Sequence, residues 1–313
     1  MNTKIFILFL IIILLTNIEG KSQHLPQFSQ YMMNHYLTNP AVPGTYKNYR
    51  IKTHYRYQWI TANDAPHSIV VSMYGPFDKY DMGYGFLLYS DNTGPTSRLG
   101  FYGSYAYNIP VGEEYHLSFG ASLGLVQYKI SNIDLGDDII DVAIIKKPVY
   151  RPDANFGVYL SSTNFYAGIA AFQLIGSKLD VFDDPADTTY IGFMRLLRHY
   201  YASVGYIYRF KKRRNVFYLE PTFIVNRTPF YIKNMKSTMI YDLSCKLTVN
   251  KEYWVGLSYK NLRTIALMGG YIYDKRYEIG LCYEYSFDKT RYVSSGSIEV
   301  MIGYLFDNLQ KKR

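Results

Sequence analysis

The chain has 313 residues, with 34 Lys and Arg against 25 Asp and Glu for a formal charge of +9, and it carries 35 Tyr, 18 Phe and two Cys. Mean hydropathy is −0.14, and past the first residues no apolar stretch approaches the roughly 20 residues that a transmembrane helix needs, which excludes a helical membrane protein. The tyrosine content exceeds what an ordinary enzyme uses and suits the water–lipid boundary of a barrel, where one end of the ring is wet.

Residues 1–20, MNTKIFILFLIIILLTNIEG, read as a secretory signal peptide: Lys4, an apolar run from Ile5 to Leu15, then the small residue Gly20, near which cleavage is expected. No Cys follows the run, so a lipid-anchored terminus is not expected. Residues 21–48 mix Gln27, Gln30, Asn34 and Asn39 with Phe28, Tyr31, Met32, Met33 and Tyr36. The segment is too polar for lipid and too aromatic for an idle tail. It is expected to pack as a partial plug inside a barrel or at the periplasmic mouth as a handle for other proteins.

From residue 49 the chain reads as strands, near 49–59, 67–74, 82–90, 98–108, 114–129, 154–161, 164–172, 199–210, 215–226, 238–249, 252–260, 264–273, 276–287 and 297–306. Their side chains sort by parity. In YEIGLCYEYSFD, Tyr277, Ile279, Leu281, Tyr283, Tyr285 and Phe287 share one face, while Glu278, Gly280, Cys282, Glu284, Ser286 and Asp288 share the other. One face is apolar and the other polar or small, as a lipid-facing wall around a hydrophilic interior requires. The expected fold is therefore all-β: a transmembrane antiparallel up-and-down barrel of about fourteen strands, an even number that permits closure. Cys245 falls in an outward series and Cys282 in an inward one, which excludes a disulfide between them.

Link lengths supply an independent sign, because outer-membrane barrels have short periplasmic turns and longer outer loops. After even strands come brief links such as IPVGE at 109–113, KKRR at 211–214, Asn250 with Lys251, and Asp274 with Lys275; after odd strands come 130–153, 173–198, 227–237 and DKTRYVSSG. YGPFDKYD after the second strand is longish and KNLR after the eleventh is brief. The tail 307–313 is expected to be a short basic periplasmic extension.

Several residues stand out as candidate contacts. On the first strand Arg50, Lys52, His54, Arg56 and Gln58 alternate with Tyr49, Ile51, Thr53, Tyr55 and Tyr57. Charge at the bilayer midplane costs about 2–4 kcal/mol per Arg or Lys, so the basic series must face the lumen. There it pairs with inward acids such as Glu278 and Glu284, or it forms a basic surface that attracts an acidic segment. Outer-loop acids include Asp134, Asp137, Asp138 and Asp141, then Asp180, Asp183, Asp184 and Asp187. Carboxylate clusters suit Ca²⁺, but no Asp-x-Asp-x-Asp-Gly spacing occurs, so solvated loops are the simpler reading and no metal is expected. The tip Lys211, Lys212, Arg213, Arg214 is either merely solvated or a site for an acidic periplasmic partner.

No G-x-S-x-G, H-E-x-x-H, phosphate-binding glycine loop or metal-spaced Cys/His cluster occurs, so no enzyme and no cofactor are expected, a lipid hydrolase on the barrel being the remote exception. Nucleic acid is set aside for a secreted barrel without base-stacking or recognition-helix patterns.

The opening HLPQFSQYMMNHYLTNPAVPGTY at 24–46, the loop SDNTGPTSRLGFYGSYAYNIPV at 90–111, RHYYASVGYIYRF at 198–210, YWVGLSYKN at 253–261 and SSGSIEVMIGYLF at 294–306, taken in order, resemble the PorP/SprF family of the type IX secretion system, outer-membrane proteins of the Bacteroidetes. The likeness covers nearly the whole chain after the signal peptide. It departs at His35, where the family usually has Pro after Asn34, and at Ile298, where a His commonly follows the SSGS. The resemblance implies an outer-membrane barrel without chemistry of its own, surrounded by lipid. Its implied partners are periplasmic components of the secretion machine and a secreted, adhesin-like surface protein that docks through its C-terminal domain. The rival is a transporter resembling long-chain fatty-acid channels, which also have fourteen strands and an N-terminal plug but need an apolar ligand path.

Overall fold

The computed structural model describes residues 26–77, 81–130, 148–179, 195–229, 238–261, 263–292 and 294–306. Fourteen antiparallel strands close into one cylinder: β1 Tyr49–Tyr57, β2 His67–Pro76, β3 Met82–Thr93, β4 Thr96–Val111, β5 Tyr115–Ile130, β6 Val149–Ser161, β7 Phe165–Phe172, β8 His199–Tyr206 continued by Tyr208–Lys212, β9 Asn215–Thr228, β10 Thr238–Val249, β11 Tyr253–Lys260, β12 Thr264–Tyr273, β13 Tyr277–Ser286 and β14 Ser297–Phe306. Closure joins β1 to β14, with Tyr49 opposite Phe306 and Tyr57 opposite Ile298. The interruption in β8 has a local cause. Pro221 on β9 lacks an N–H to give to the ladder, while the pairing of Gly205 with Thr222 and of Tyr208 with Leu219 keeps one unshifted register.

Parity holds around the wall. On β13 the exposed set is Tyr277, Ile279, Leu281, Tyr283 and Tyr285, and the buried set is Glu278, Gly280, Cys282 and Glu284. Leucines such as Leu123 and Leu267 stand 73% and 61% exposed on the outer surface, a pattern that is stable only against hydrocarbon. Outward rings of β11 to β14 and β1 touch in succession, from Tyr253–Tyr271 at 4.9 Å through Tyr277–Tyr304 at 5.0 Å to Tyr49–Phe306 at 5.2 Å, forming an interfacial girdle. Among the described residues no helix is long and apolar enough to cross a membrane. Both cysteines are free thiols, with Cys282 buried in the lumen wall and Cys245 on the outer parity.

The links refine the sequence reading. After even strands they run to two to five residues, and Asn250–Lys251 and Asp274–Lys275 have positive φ at both positions, the primed turn that matches strand twist. After β3, however, the expected loop is a tight turn at Gly94 and Pro95, because pairing continues to Thr93 opposite Thr96. β4 likewise runs on to Val111, so its turn is residues 112–114 rather than 109–113, and β6 begins at Val149 rather than 154. The extra length is hydrogen-bonded hairpin, which polar residues such as Asn92 and Thr96 extend as readily as apolar ones once clear of lipid. The proposed signal peptide, its cleavage near Gly20, the tail 307–313 and the loop acids from Asp134 to Asp141 and Asp180 to Asp187 lie outside the described residues.

Candidate functional site

Residues 26–48 run through the barrel interior. Two short 3-10 turns, Ser29–Met33 and His35–Leu37, leave most of their backbone groups without helical partners, and a lumen must supply replacements. It does so with side chains. The amides of Ser29 and Gln30 donate to the two carboxylate oxygens of Glu299 on β14, at 2.7 and 3.0 Å. The carbonyl of Met33 accepts Lys52 Nζ from β1, and that of Met32 accepts Lys246 Nζ from β10 at 3.4 Å. The plug's polar side chains answer in kind: Tyr31 meets Ser244 at 2.7 Å, Asn34 donates to Ser72 at 2.8 Å, and Tyr36 meets Ser104 at 2.6 Å. Asn39 donates to the carbonyls of Val158 and Ile169 on β6 and β7, at 3.0 and 3.2 Å. Next to it the chain lies flat on the wall. A Cβ on Gly120 would sit 2.3 Å from the Pro40 carbonyl oxygen, so the close approach requires glycine.

Several lumen charges close to the plug are paired with one another. Lys52 pairs with Glu278; Arg56 holds Glu284 bidentately, at 2.8 and 2.6 Å, and lies 3.6 Å from Glu299. Lys260 joins the same Glu284, and Lys246 meets Glu220 at 2.7 Å. Arg50 stacks over the Tyr46 ring at 3.5 Å. His35 Nε2 lies 3.8 Å from Glu220, yet burial outweighs that carboxylate and holds the imidazole down at about 4. Towards the turns after β4 and β6 the lumen widens into a cavity of about 800 Å³, lined by Tyr46, Arg50, Lys52, Glu113, Glu114, Asn164, Glu220, Lys246 and Glu278. A further void of about 60 Å³ remains beside Phe28, Tyr36, Val70, Tyr89 and Tyr102.

The candidate residues thus divide into two groups and a remainder. Phe28, Gln30, Tyr31 and Asn39 of the plug and Lys52 and Arg56 of β1 are buried and meet one another or the barrel wall, with Gln27 and Arg50 partly covered beside them. Pairing of the β1 cations with inward acids, the simpler alternative, is what the geometry shows for Lys52 with Glu278 and Arg56 with Glu284. Lys211, Lys212, Arg213 and Arg214 are exposed at the β8–β9 tip. Asp137 and Asp138 lie outside the described residues. Sequence reasoning did not single out Glu299, Glu220, Lys246 or Lys260. Parity alone carried a signal for Glu299: Ile298, Val300, Ile302, Tyr304 and Phe306 form an unbroken apolar series on β14, which leaves Glu299 facing inward.

These features define a plugged outer-membrane β-barrel with a polar, charge-paired interior. Comparison with known families places it further: the chain belongs to the PorP/SprF family, described as type IX secretion system membrane proteins, whose family model matches residues 20–304. Comparison with curated proteins finds no match. Among solved structures the chain is similar to the Pseudomonas putida toluene transporter TodX, with 11% identity and a TM-score of 0.51 over 92% of this chain and 96% of that one. It is also similar to the monoaromatic hydrocarbon channel CymD, with 13% identity and a TM-score of 0.51 over 91% and 94% of the respective chains. At such identities the likeness is one of fold. The protein is accordingly an outer-membrane component of the type IX secretion system.

Proposed function

We propose that the barrel acts as a docking protein, not as a conduit or an enzyme: it holds a secreted, adhesin-like partner by its C-terminal domain at the outer face, or links the translocon to its periplasmic ring. The observation that carries this reading is the lumen. A path for solutes needs a lining that binds and releases them, whereas here the plug's backbone is taken up by Glu299, Lys52 and Lys246, and Lys52 and Arg56 of the wall are paired with Glu278 and Glu284. Recognition then falls to the outer loops and the periplasmic rim, and the family membership supports a partner within the secretion apparatus. A channel for a small hydrophobic ligand is the rival, prompted by the fold shared with TodX and CymD. Such a ligand would meet Lys52, Arg56, Glu220 and Glu278 on one side of the lumen, while the apolar patch of Val70, Tyr89 and Tyr102 on another is already filled by Phe28 of the plug.

The test is deletion of the gene followed by assay of the surface display of the neighbouring gene's secreted product. Display lost on deletion and restored by the full chain supports docking. Unchanged display, together with a fatty acid or hydrocarbon and no protein partner recovered from the detergent-purified barrel, overturns it in favour of the channel.

A further inference from the structure

The lower part of β8 departs from the rest of the wall. Its residues Tyr208–Lys212 pair on one side with Asn215–Leu219 of β9. On the other side, β7 ends at Phe165 opposite Tyr206, and the last bond across is from the Ile207 amide to the Asn164 carbonyl, at 2.7 Å. Below that point no strand among the described residues pairs with this edge. All five residues are exposed. The hairpin therefore projects past the rim on the side of the short turns, presenting about 17 Å of unpaired strand.

Which backbone groups face outward along this edge follows from strand alternation. The Ile207 amide points to the β7 side, so Arg209 and Lys211 do so too, while Tyr208, Phe210 and Lys212 bond to β9. The opposite edge of the hairpin agrees, since Val216, across from Lys211, exchanges its bonds with Asn250 on the far side at 2.8 and 2.9 Å. Two N–H and C=O pairs are thus open to an incoming strand.

Charge selects the occupant. Arg209, Lys211, Lys212, Arg213 and Arg214 crowd this hairpin, and among the described residues none meets a carboxylate within 4.0 Å. Cations along an edge oppose pairing between two copies of the same chain. They also attract a segment of opposite sign. We propose that this edge receives an extended, acidic segment of a periplasmic partner, which adds to the barrel wall as an antiparallel strand beside Tyr208–Lys212. The inference rests on the docking reading and gives that reading a site and a mode: main-chain bonds from Arg209 and Lys211 supply affinity, and the basic tip supplies selectivity.

The experiment uses the full chain in detergent micelles and synthetic peptides of roughly eight residues, the usual length of a strand, alternating Glu with Thr. The acidic peptide should bind, and its affinity should fall with rising salt. The same peptide N-methylated at alternate amides should bind about tenfold more weakly, the loss expected for two or so interstrand bonds. A Lys–Thr peptide should not bind. Arg209→Pro and Lys211→Pro each remove a donor from the open edge without touching the bonds to β9, and each should weaken binding while the barrel keeps its heat-dependent gel shift. Equal binding of the methylated and unmethylated peptides, or no binding of the acidic one, overturns the strand-addition inference. In cells, Lys211→Pro should impair surface display. Normal display in this variant, with display lost on deletion, overturns the edge site and leaves docking standing; display unaffected by deletion overturns docking, while the peptide result judges the edge on its own.

Discussion

On the wall made by β13, β14 and β1, the plug meets Glu299, Lys52 and Arg56, each 7% exposed or less and each fixed by hydrogen bonds of defined direction. On the wall made by β2 to β5, it meets Val70, Tyr89, Tyr102, Val126 and Tyr128, and Phe28 packs into that cluster without a charged partner. The first wall dictates where the chain must lie, because a buried ion tolerates no misplaced partner. The second wall rewards area and accepts small shifts. One segment held between them is located by polarity on one side and pressed into place by burial on the other.

The sharpest way to break this division is Glu299→Ala. It orphans the Ser29 and Gln30 amides and strips Arg56 of one of its acids, at a cost of about 3–5 kcal/mol. Amide exchange over residues 28–40 should accelerate while exchange in β4 and β5 stays slow. If both regions loosen together, the plug and barrel unfold as one unit and the two walls are not separable.

Gly120→Ala attacks the flat seat of the plug instead. The new methyl meets the Pro40 carbonyl oxygen and the Ala41 backbone, and overpacking of this kind costs about 1–3 kcal/mol. Exchange should rise first at residues 39–44 and leave the Glu299 contacts protected.

Acid provides a gentler probe. His35 is held at about 4 against an ordinary 6.5, chiefly by burial. Its contribution is therefore fully present above pH 6.5 and is lost as pH falls towards 4, the loss reaching about 2 kcal/mol by pH 5. Plug protection should drop between pH 7 and 5, and His35→Gln should flatten that profile. A wild-type profile already flat would show that the imidazole is not sealed from water.

The smallest expected effect is that of Tyr36→Phe, which deletes the bond to Ser104 but keeps the ring against Tyr74 at 5.1 Å. Ser104 retains Ser122 at 2.7 Å, so the loss is about 1 kcal/mol. Local exchange at residues 35–37 should report it.

Much of this arrangement was legible before any coordinates. The alternation of Tyr277 to Phe287 against Glu278 to Asp288 implies a wall with hydrocarbon on one side and polar groups on the other, because side-chain direction in a strand depends only on parity. The same rule turns Arg50, Lys52, His54 and Arg56 inward. Strand count, closure and the likeness of the QFSQYM and NTGPTS stretches to PorP/SprF proteins followed from the chain alone. What parity cannot contain is position along and around the cylinder. That Lys52 finds Glu278, that Glu299 takes two plug amides, that Gly120 lies beneath Pro40, and that β7 ends early and, among the described residues, leaves the β7-side edge at Arg209 and Lys211 without a paired strand all depend on strand stagger and on the path of an irregular segment. Those features join residues up to 270 positions apart, and only closure of the barrel brings them within bonding distance.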